Sequence, residues 1–317
     1  MNVFRLLLGL LLITLASSVA AQYPEKPILV IVPYGAGSAD VVARLVAKKI
    51  TENTGKTVIV ENKSGAGGRI GLEAAARSTA DGYTFVITDS GYVLLPTLYP
   101  NLTWDPKDLV PVTLVLRMPF VLTMGADKRI TSLSELISRA KANPGKLNYG
   151  SAGVGGANHI VTELFKHEAG VEITHVPYRG MGEAMQALLA GQVDVLISTI
   201  AVASSNLRSG RVVGLVVPSK ERSPALPNVP SSAEAGLARF AISNWLGVLA
   251  PKGTPVGAID WMQRQVAAAV ASPDIKQRFA SLAVEGSGMP TSEYAQFLKS
   301  EEQRWGDVVR FAGIKPE

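Results

Sequence analysis

The chain has 317 residues, of which 47% are hydrophobic and 18% are charged, and this size and composition predict two folded domains and exclude intrinsic disorder. Cysteine is absent, which excludes disulfides, cysteine-ligated zinc, iron–sulfur clusters and thiol nucleophiles. The net charge of +5 is spread along the chain, so it is compatible with anionic small ligands or an anionic membrane surface and is weak evidence for nucleic-acid binding.

Residues 1–21 have the features of a secretory signal peptide. Arg5 precedes an apolar run of 11 residues, 6–16, and small residues precede Gln22. The rival interpretation is an uncleaved membrane anchor, but a helix needs about 20 apolar residues to cross the hydrocarbon core, and this run is shorter. The chain has no cysteine that could carry a lipid anchor. We therefore expect an exported, soluble protein with a net charge of +4, located in the periplasm if the source is a Gram-negative bacterium.

The body of the chain alternates short runs of β-branched residues with helical patterns, which predicts βα units and mostly parallel sheets. Ser132 and Glu135 form a capping box, the sequence signature of a helix start. In chain order we predict strands at 28–32, 57–60, 84–88, 119–124, 147–151, 173–176, 193–197, 212–217 and 242–250. The predicted helices lie around 41–50, 72–77, 133–143, 160–165, 183–189, 255–271, 273–282 and 291–311.

The order of these elements predicts two α/β domains. We place the boundaries near Pro119 and Ser243. The long apolar run at 242–250 is suited to a strand that returns between domains. Residues 22–119 together with 244–317 then form domain I, and residues 120–243 form domain II. Two such domains joined by two crossing strands would enclose a hinged cleft.

Three loops each follow a predicted strand, are rich in glycine and small residues, and precede a helix. They span residues 34–40, 64–68 and 151–156. Glycine allows successive N–H groups to converge, and a helix N-terminus adds unpaired donors, so such a loop can bind a carboxylate or phosphate without lysine or arginine. Ligands of open α/β sheets lie beyond the carboxyl ends of the strands, where these loops are. The pattern is equally compatible with glycine that merely permits tight turns.

Other chemistries have weaker support. The glycine loops at 34–40 and 151–156 lack the third glycine of a dinucleotide fingerprint, and the sequence contains neither a Walker motif nor a Gly-x-Ser-x-Gly elbow. His159 and Glu163 are one helical turn apart, as metal ligands can be, but no third ligand is placed to join them. The sequence therefore predicts neither a catalytic centre nor a metal site.

Five single side chains deserve separate interpretation. His159 lies in the first turn after a glycine loop and is a candidate to face the cleft. His175 lies inside a strand and is interpreted as packed or hydrogen-bonded, and His167 as solvated at a helix end. Arg69 and Arg179 adjoin strand ends, where each could pair with a carboxylate or equally well lie on the surface.

An ordered series of motifs runs through the chain. It consists of Val32–Gly37 with Asp40–Arg44, Val60–Gly68 with Gly71, Asp81–Thr84, Pro144–Gly153, His175–Gly180, Gly191–Asp194, Arg222–Pro227, Glu234–Gly236 and Ala312–Pro316. With these motifs, the chain resembles the substrate-binding receptors of the tripartite tricarboxylate transporter systems, the Bug-type receptors, along essentially its whole mature length.

The resemblance implies an α/β fold of the two-domain Venus-flytrap class, a type II-like periplasmic binding protein in which each domain is a mostly parallel sheet flanked by helices. It implies a receptor rather than an enzyme, with no cofactor and no metal. Such a receptor captures a small mono-, di- or tricarboxylate in the interdomain cleft and delivers it to the permease subunits in the membrane. We expect a monomer that binds no nucleic acid.

Receptors of this kind hold carboxylates largely through backbone amides and small hydroxyls of the loops after strands, often with water. The matching positions in domain I are Tyr34, Gly35, Ala36, Gly37, Ser38, Ala39 and Ser90. The matching positions in domain II are Ser151, Ala152, Gly153, Gly155, His159, Tyr178 and Arg179.

Two positions depart from the family's pattern. The first loop, Gly37–Asp40, is one residue shorter than usual and lacks one glycine, which puts its usual geometry in doubt. After Asp194, Ser198 stands where an acidic residue is frequent, and Thr199 replaces an asparagine. If this position touches the far end of the ligand, the preference for ligands that bear an amine should weaken. A receptor that signals to a sensor partner stays an alternative, whereas an exported hydrolase would need a nucleophile–base pair that the sequence does not display.

Overall fold

The computed structural model describes residues 23–35, 37–99 and 101–314. The predicted leader at 1–21 and the predicted site residue Ala36 lie outside the described residues. Within the described part, no helix combines the length and the apolar character needed to cross a membrane.

Strands and helices alternate along most of the described chain. The strands are β1 (Ile28–Val32), β2 (Val58–Asn62), β3 (Thr84–Asp89), β4 (Leu109–Gly125), β5 (Asn148–Ser151), β6 (Thr174–Pro177), β7 (Val195–Thr199), β8 (Val212–Val216), β9 (Ser243–Pro251) and β10 (Glu285–Gly286). The α-helices are α1 (Ser38–Thr54), α2 (Arg69–Ala76), α3 (Gly91–Leu98), α4 (Leu133–Ala142), α5 (Ala157–Ala169), α6 (Met181–Leu189), α7 (Ile200–Arg208), α8 (Val256–Ala271), α9 (Pro273–Ser281) and α10 (Thr291–Ala312).

The strands form one hydrogen-bonded path in the order β2-β1-β3-β9-β4-β7-β5-β6, with β8 and β10 paired to β4. We call β1–β3, β9, β10 and the first half of β4 sheet A, and the second half of β4 with β5–β8 sheet B. The outer strands β2-β1-β3 and β7-β5-β6 are parallel. The crossing strands β4 and β9 are antiparallel to each other and to β3 and β7, so each sheet is mixed.

The crossing strands bring the carboxyl ends of the two parallel trios together. β3 ends at Asp89 opposite Leu246 of β9, and β7 ends at Thr199 opposite Phe120 of β4. Between these points, β4 and β9 pair with each other, and Pro119 lies opposite Ser243. The loops that follow the strands of sheet A therefore face the loops that follow the strands of sheet B across the middle of β4 and β9.

Four elements differ from the sequence prediction, one of which is the unpredicted two-residue strand β10. The strand predicted at 119–124 is the end of β4, a 17-residue strand that also contains Pro111. Its pairing with β9 shifts register at 111/113 and at 114/116, and such bulges are where a strand accommodates proline. Helices α3 and α7 were not predicted, because α3 has Pro96 in its interior and α7 follows β7 with no intervening turn.

The last helix joins the two sheets. Its Glu301 is buried, and the indoles of Trp245 and Trp305 donate to Glu301 Oε2 over 3.0 and 2.9 Å. Burial raises the pKa of Glu301, while these donors satisfy the carboxylate in the core. Near the end of α10, the ring of Phe311 stacks on His167 of α5 at 4.1 Å. His167 remains exposed despite this contact, so its interpretation as a solvated residue at a helix end is confirmed.

Candidate functional site

In the loop after β1, the side chain of Tyr34 points inward. Its hydroxyl donates to Asp89 Oδ1 over 2.6 Å, and its ring lies where a Cβ on Gly68 would approach to 2.8 Å. Burial and the neighbouring Asp89 raise the pKa of Tyr34 well above its usual range, so the phenol remains a donor. The buried contacts of Tyr34 therefore anchor the loop to the protein, while the backbone at the exposed Gly35 and Gly37 faces solvent.

Helix α1 begins directly after this loop with unpaired donors. Its N-cap, Gly37, has no side chain to bond the first turn, and its first helical bond runs from the Val41 amide to the Gly37 carbonyl. The amides of Ser38, Ala39 and Asp40 have no hydrogen-bond acceptor among the described residues. Ser38 is exposed, whereas the side chain of Ala39 packs into the core of sheet A, so Ala39 can offer a ligand only its main chain.

The end of β3 is tied to the crossing strand β9. Ser90 is buried, and its hydroxyl donates to Asn244 Oδ1 over 2.7 Å, while Asp89 Oδ1 accepts the Gly91 amide over 2.8 Å. Burial raises the pKa of Asp89, and hydrogen bonds from Tyr34, Gly91 and Asn244 oppose that rise. The hydroxyl of Ser90, a predicted ligand donor, is thus already used within the protein.

The loop after β5 is held by internal hydrogen bonds. Ser151 Oγ accepts the Gly153 amide over 3.1 Å and lies 2.6 Å from Nε2 of His175. The Gly155 amide donates to Nδ1 of His159 over 3.0 Å. Two of the predicted amide donors, those of Gly153 and Gly155, are therefore used inside the loop, in contrast to the convergence on a ligand that the glycine pattern suggests.

Three rings stack beneath this loop. The imidazoles of His159 and His175 are nearly parallel, with centroids 4.1 Å apart, and Tyr149 stacks on His175 at 4.8 Å. Burial and the neighbouring His175 lower the pKa of His159 to about 4, and burial lowers the pKa of His175 as well. Both imidazoles are neutral at pH 7. The interpretation of His175 as a packed, hydrogen-bonded residue is confirmed.

The N-termini of α5 and α7 lie side by side in sheet B. Their preceding strands β5 and β7 are parallel neighbours, and Asn158 in the first turn of α5 donates to the Ile197 carbonyl of β7 over 3.2 Å. Neither helix has an acidic residue in its first turn or a side-chain cap from its N-cap residue. The N-cap of α7 is Thr199, whose Oγ1 is buried without a hydrogen-bond partner in the described part of the chain.

Two other helices that start at strand ends, α3 and α6, have a carboxylate of the chain beside their N-terminus. Asp89 accepts the first amide of α3, and Glu183 of α6 accepts the Arg179 amide over 3.0 Å. In α1, Asp40 pairs instead with Arg44 at 2.9 Å, and the hydrogen bond from Arg44 lowers the pKa of Asp40. An external carboxylate can therefore take the place of the missing cap at α1, α5 and α7.

The remaining predicted site residues lie around the α5 loop. Tyr178 is half-buried, its amide donates to the Ser151 carbonyl over 3.0 Å, and its ring lies beside Gly150. Ala152 is half-buried on the loop, and Arg179 is exposed. Leu98 at the end of α3 lies where a Cβ on Gly155 would approach to 3.5 Å. The structure thus brings the predicted residues of each sheet to the same edge.

Asn244 and Asp89 are the clearest residues that the sequence prediction missed. Asn244 joins Ser90 from 154 positions away, so no local pattern could reveal the contact. One signal was available, since Asn244 is a polar residue at the start of an otherwise apolar strand. Asp89 had a similar signal as an acidic residue that ends a buried strand.

Comparison with known proteins gives a consistent result. The family described as the tripartite tricarboxylate transporter family receptor matches residues 42–314. Protein BugT of Bordetella pertussis is 37% identical over 324 residues, which cover 99% of this chain and 99% of BugT.

Two solved structures of similar proteins include a small acid. R. palustris Rpa4515 with adipate is 33% identical, with a TM-score of 0.84, over 93% of this chain and 100% of that one. MatC from Rhodopseudomonas palustris with bound malate is 32% identical, with a TM-score of 0.80, over 90% of this chain and 100% of MatC. The resemblance seen in the sequence and the expected α/β periplasmic binding protein fold are confirmed. The chain belongs to the family of tripartite tricarboxylate transporter receptors.

Proposed function

We propose that this protein is an extracytoplasmic receptor that binds a small dicarboxylate between sheets A and B and delivers it to a permease of the tripartite tricarboxylate type. The observation that carries the proposal is the pair of uncapped helix N-termini, α1 of sheet A and α5 of sheet B, on loops that face each other. Each offers main-chain N–H donors and a positive partial charge to one anion.

We place the boundary between the two proposed domains, or lobes, on the crossing strands β4 and β9. Domain I comprises residues 22–119 and 244–317, domain II comprises residues 120–243, and the hinge lies where β4 and β9 pair between the two sheets. Donors from both lobes favour the closed form, because a ligand shifts a conformational equilibrium only through its differential affinity for the two states.

A second anion position supports a dicarboxylate over a monocarboxylate. The N-terminus of α7 adjoins that of α5, and the buried Thr199 hydroxyl there has no partner within the described residues. Adipate and malate, found with the two neighbouring structures, each have two carboxylates. Because Ser198 and Thr199 bring no charge to this position, we expect no preference for ligands that bear an amine.

The donors available are enough for useful affinity. Micromolar binding corresponds to about 8 kcal/mol. A hydrogen bond to a charged group contributes about 1.5–3 kcal/mol, so four to six directed donors suffice even after the cost of ordering the ligand and the loops. The first turns of α1 and α5 and the N-terminus of α7 together supply that number.

The test measures binding, closure and delivery separately. Native mass spectrometry of protein purified without refolding identifies any acid that copurifies, and calorimetry compares adipate and malate with hexanoate, a monocarboxylate control. X-ray scattering with and without the acid reports closure. Uptake of the bound acid by cells that contain the permease, with and without this protein, tests delivery. Absence of binding to any small carboxylate would overturn the proposal, and release of a chemically altered acid would indicate an enzyme.

A further inference from the structure

The ring stack beneath the α5 loop contacts that loop at two points. His159 Nδ1 accepts the amide hydrogen of Gly155, and His175 Nε2 lies within hydrogen-bond distance of Ser151 Oγ. Ser151 Oγ in turn accepts the Gly153 amide. Both ends of the loop are therefore bonded to the same pair of parallel imidazoles, although His159 comes from α5 and His175 from β6.

We propose that His159 is a positioning residue for ligand binding, which acts by accepting the Gly155 amide and not by touching the carboxylate. The proposal rests on the proposed function, since it concerns how the α5 loop is held ready for an anion. By bonding the Gly155 amide, His159 fixes the peptide plane there and sets the direction of the next peptides. The first amides of α5 then point out of the loop before any ligand arrives.

Burial and contacts agree with this role. His159 is 8% exposed, so its Nδ1 would be left without a donor in a buried position if the bond from the partly buried Gly155 amide were lost. A donor amide on Nδ1 places the proton of the neutral ring on Nε2. The charged and titratable groups that face the pair are Tyr149 of β5 with Glu163 and Lys166 of α5, and Tyr149 donates to Glu163 over 2.5 Å.

The ring stack is also held at Tyr149, the ring that lies farther from the α5 loop. Glu163 accepts the Tyr149 hydroxyl, and both of its oxygens lie 2.9 Å from Lys166 Nζ, so these contacts hold the hydroxyl end of Tyr149. His175 packs between Tyr149 and His159. The imidazole of His159 therefore has two separable properties, the flat surface that stacks and the Nδ1 atom that accepts.

Two substitutions separate these properties. His159→Asn keeps an acceptor near the position of Nδ1 and removes the ring, whereas His159→Phe keeps a stacking ring and removes the acceptor. The probe is adipate, titrated by calorimetry at pH 7.5. We expect His159→Asn to bind within a few-fold of the unaltered protein and His159→Phe to lose about tenfold or more in affinity. His167→Asn and His167→Phe, on the exposed end of the same helix, are the matched controls and should leave binding unchanged.

Each outcome decides the proposal. Binding retained by His159→Phe and lost by His159→Asn would show that the ring acts only by packing, and equal losses in both would indicate direct contact with the ligand. Either result would overturn the proposal.

A measurement on the unaltered protein without ligand covers the case of a variant that fails to fold. The ¹⁵N chemical shifts of the His159 ring should show an unprotonated Nδ1, and the Gly155 amide hydrogen should exchange slowly with solvent. A protonated Nδ1 would refute the proposal. Failure of the unaltered protein to bind adipate or malate would instead count against the proposed function, while these spectra still test the Gly155 bond.

Discussion

A proline at the first position of α5 can remove one ligand donor and little else. Ala157 is the first residue of that helix, where the amide has no helical acceptor to bond. Gly156 before it has φ −69° and ψ 156°, the extended conformation that a residue preceding proline adopts. The first helical bond, from the Ile160 amide to the Gly156 carbonyl, does not involve Ala157. Proline is well tolerated at this position, so Ala157→Pro should fold.

The expected loss of affinity follows from the number of donors removed. One hydrogen bond to a carboxylate contributes about 1.5–3 kcal/mol, which corresponds to a loss of about 10- to 150-fold in Kd. The upper part of this range is expected if the Ala157 amide faces the ligand directly in the water-poor closed state. Calorimetry with adipate at pH 7.5 measures the change, and circular dichroism establishes that α5 is intact.

The matched control is Val256→Pro at the first position of α8. Val256 is 72% exposed, and the residue before it, Pro255, has the extended φ and ψ of −54° and 134°. The same chemical change at this helix should leave adipate affinity unchanged. Unaltered binding in a folded Ala157→Pro, or an equal loss in Val256→Pro, would refute the assignment of the α5 amides to the ligand.

Three further predictions concern the second anion position, the loops of sheet A and acid stability. Thr199→Val removes a buried hydroxyl at nearly constant shape, so calorimetry should show weaker adipate binding by about tenfold and unchanged hexanoate binding; equal effects on both acids would contradict the second position. Gly71→Ala places a Cβ 2.6 Å from backbone atoms of the loops after β1 and β2, so the melting temperature and adipate affinity should both fall, whereas Gly182→Ala, with open space around it, should change neither by much. Because burial and His175 lower the pKa of His159 to about 4 from 6.5, the unfolded chain binds the proton more readily, and the free energy of unfolding should fall by up to roughly 3 kcal/mol as the pH drops from about 6.5 to 4. Urea titrations across this pH range should show a smaller fall in the free energy of unfolding for His159→Asn than for the unaltered protein. If the free energy of unfolding fell equally with pH in both proteins, His159 would not be the cause of the acid destabilisation.

Local patterns predicted the elements, and long-range contacts determined what the site residues do. The capping box at Ser132 marks the start of α4, where its hydroxyl accepts the Glu135 amide. The sequence could also place Ser151 and His159 beside a glycine loop. It could not show that their polar atoms face His175 and Gly155, since the Ser151–His175 contact joins different strands of sheet B. For the same reason Ser90 was interpreted as a ligand donor, although its hydroxyl bonds to β9.

The N-caps of α1 and α5 explain why the side chains of the site carry little information about the ligand. At some helices the chain supplies its own acceptor for the first amides, as Ser132 does for α4 and Asp89 for α3. At α1 and α5 the N-cap residue is glycine, which has no side chain to bond the first amides, so those donors remain available to a ligand. Main-chain donors distinguish ligands by the distance between carboxylates and not by side-chain complementarity. Selectivity among dicarboxylates should therefore depend on the separation of the helix N-termini, which the crossing strands and the ring stack hold, more than on any residue that touches the ligand.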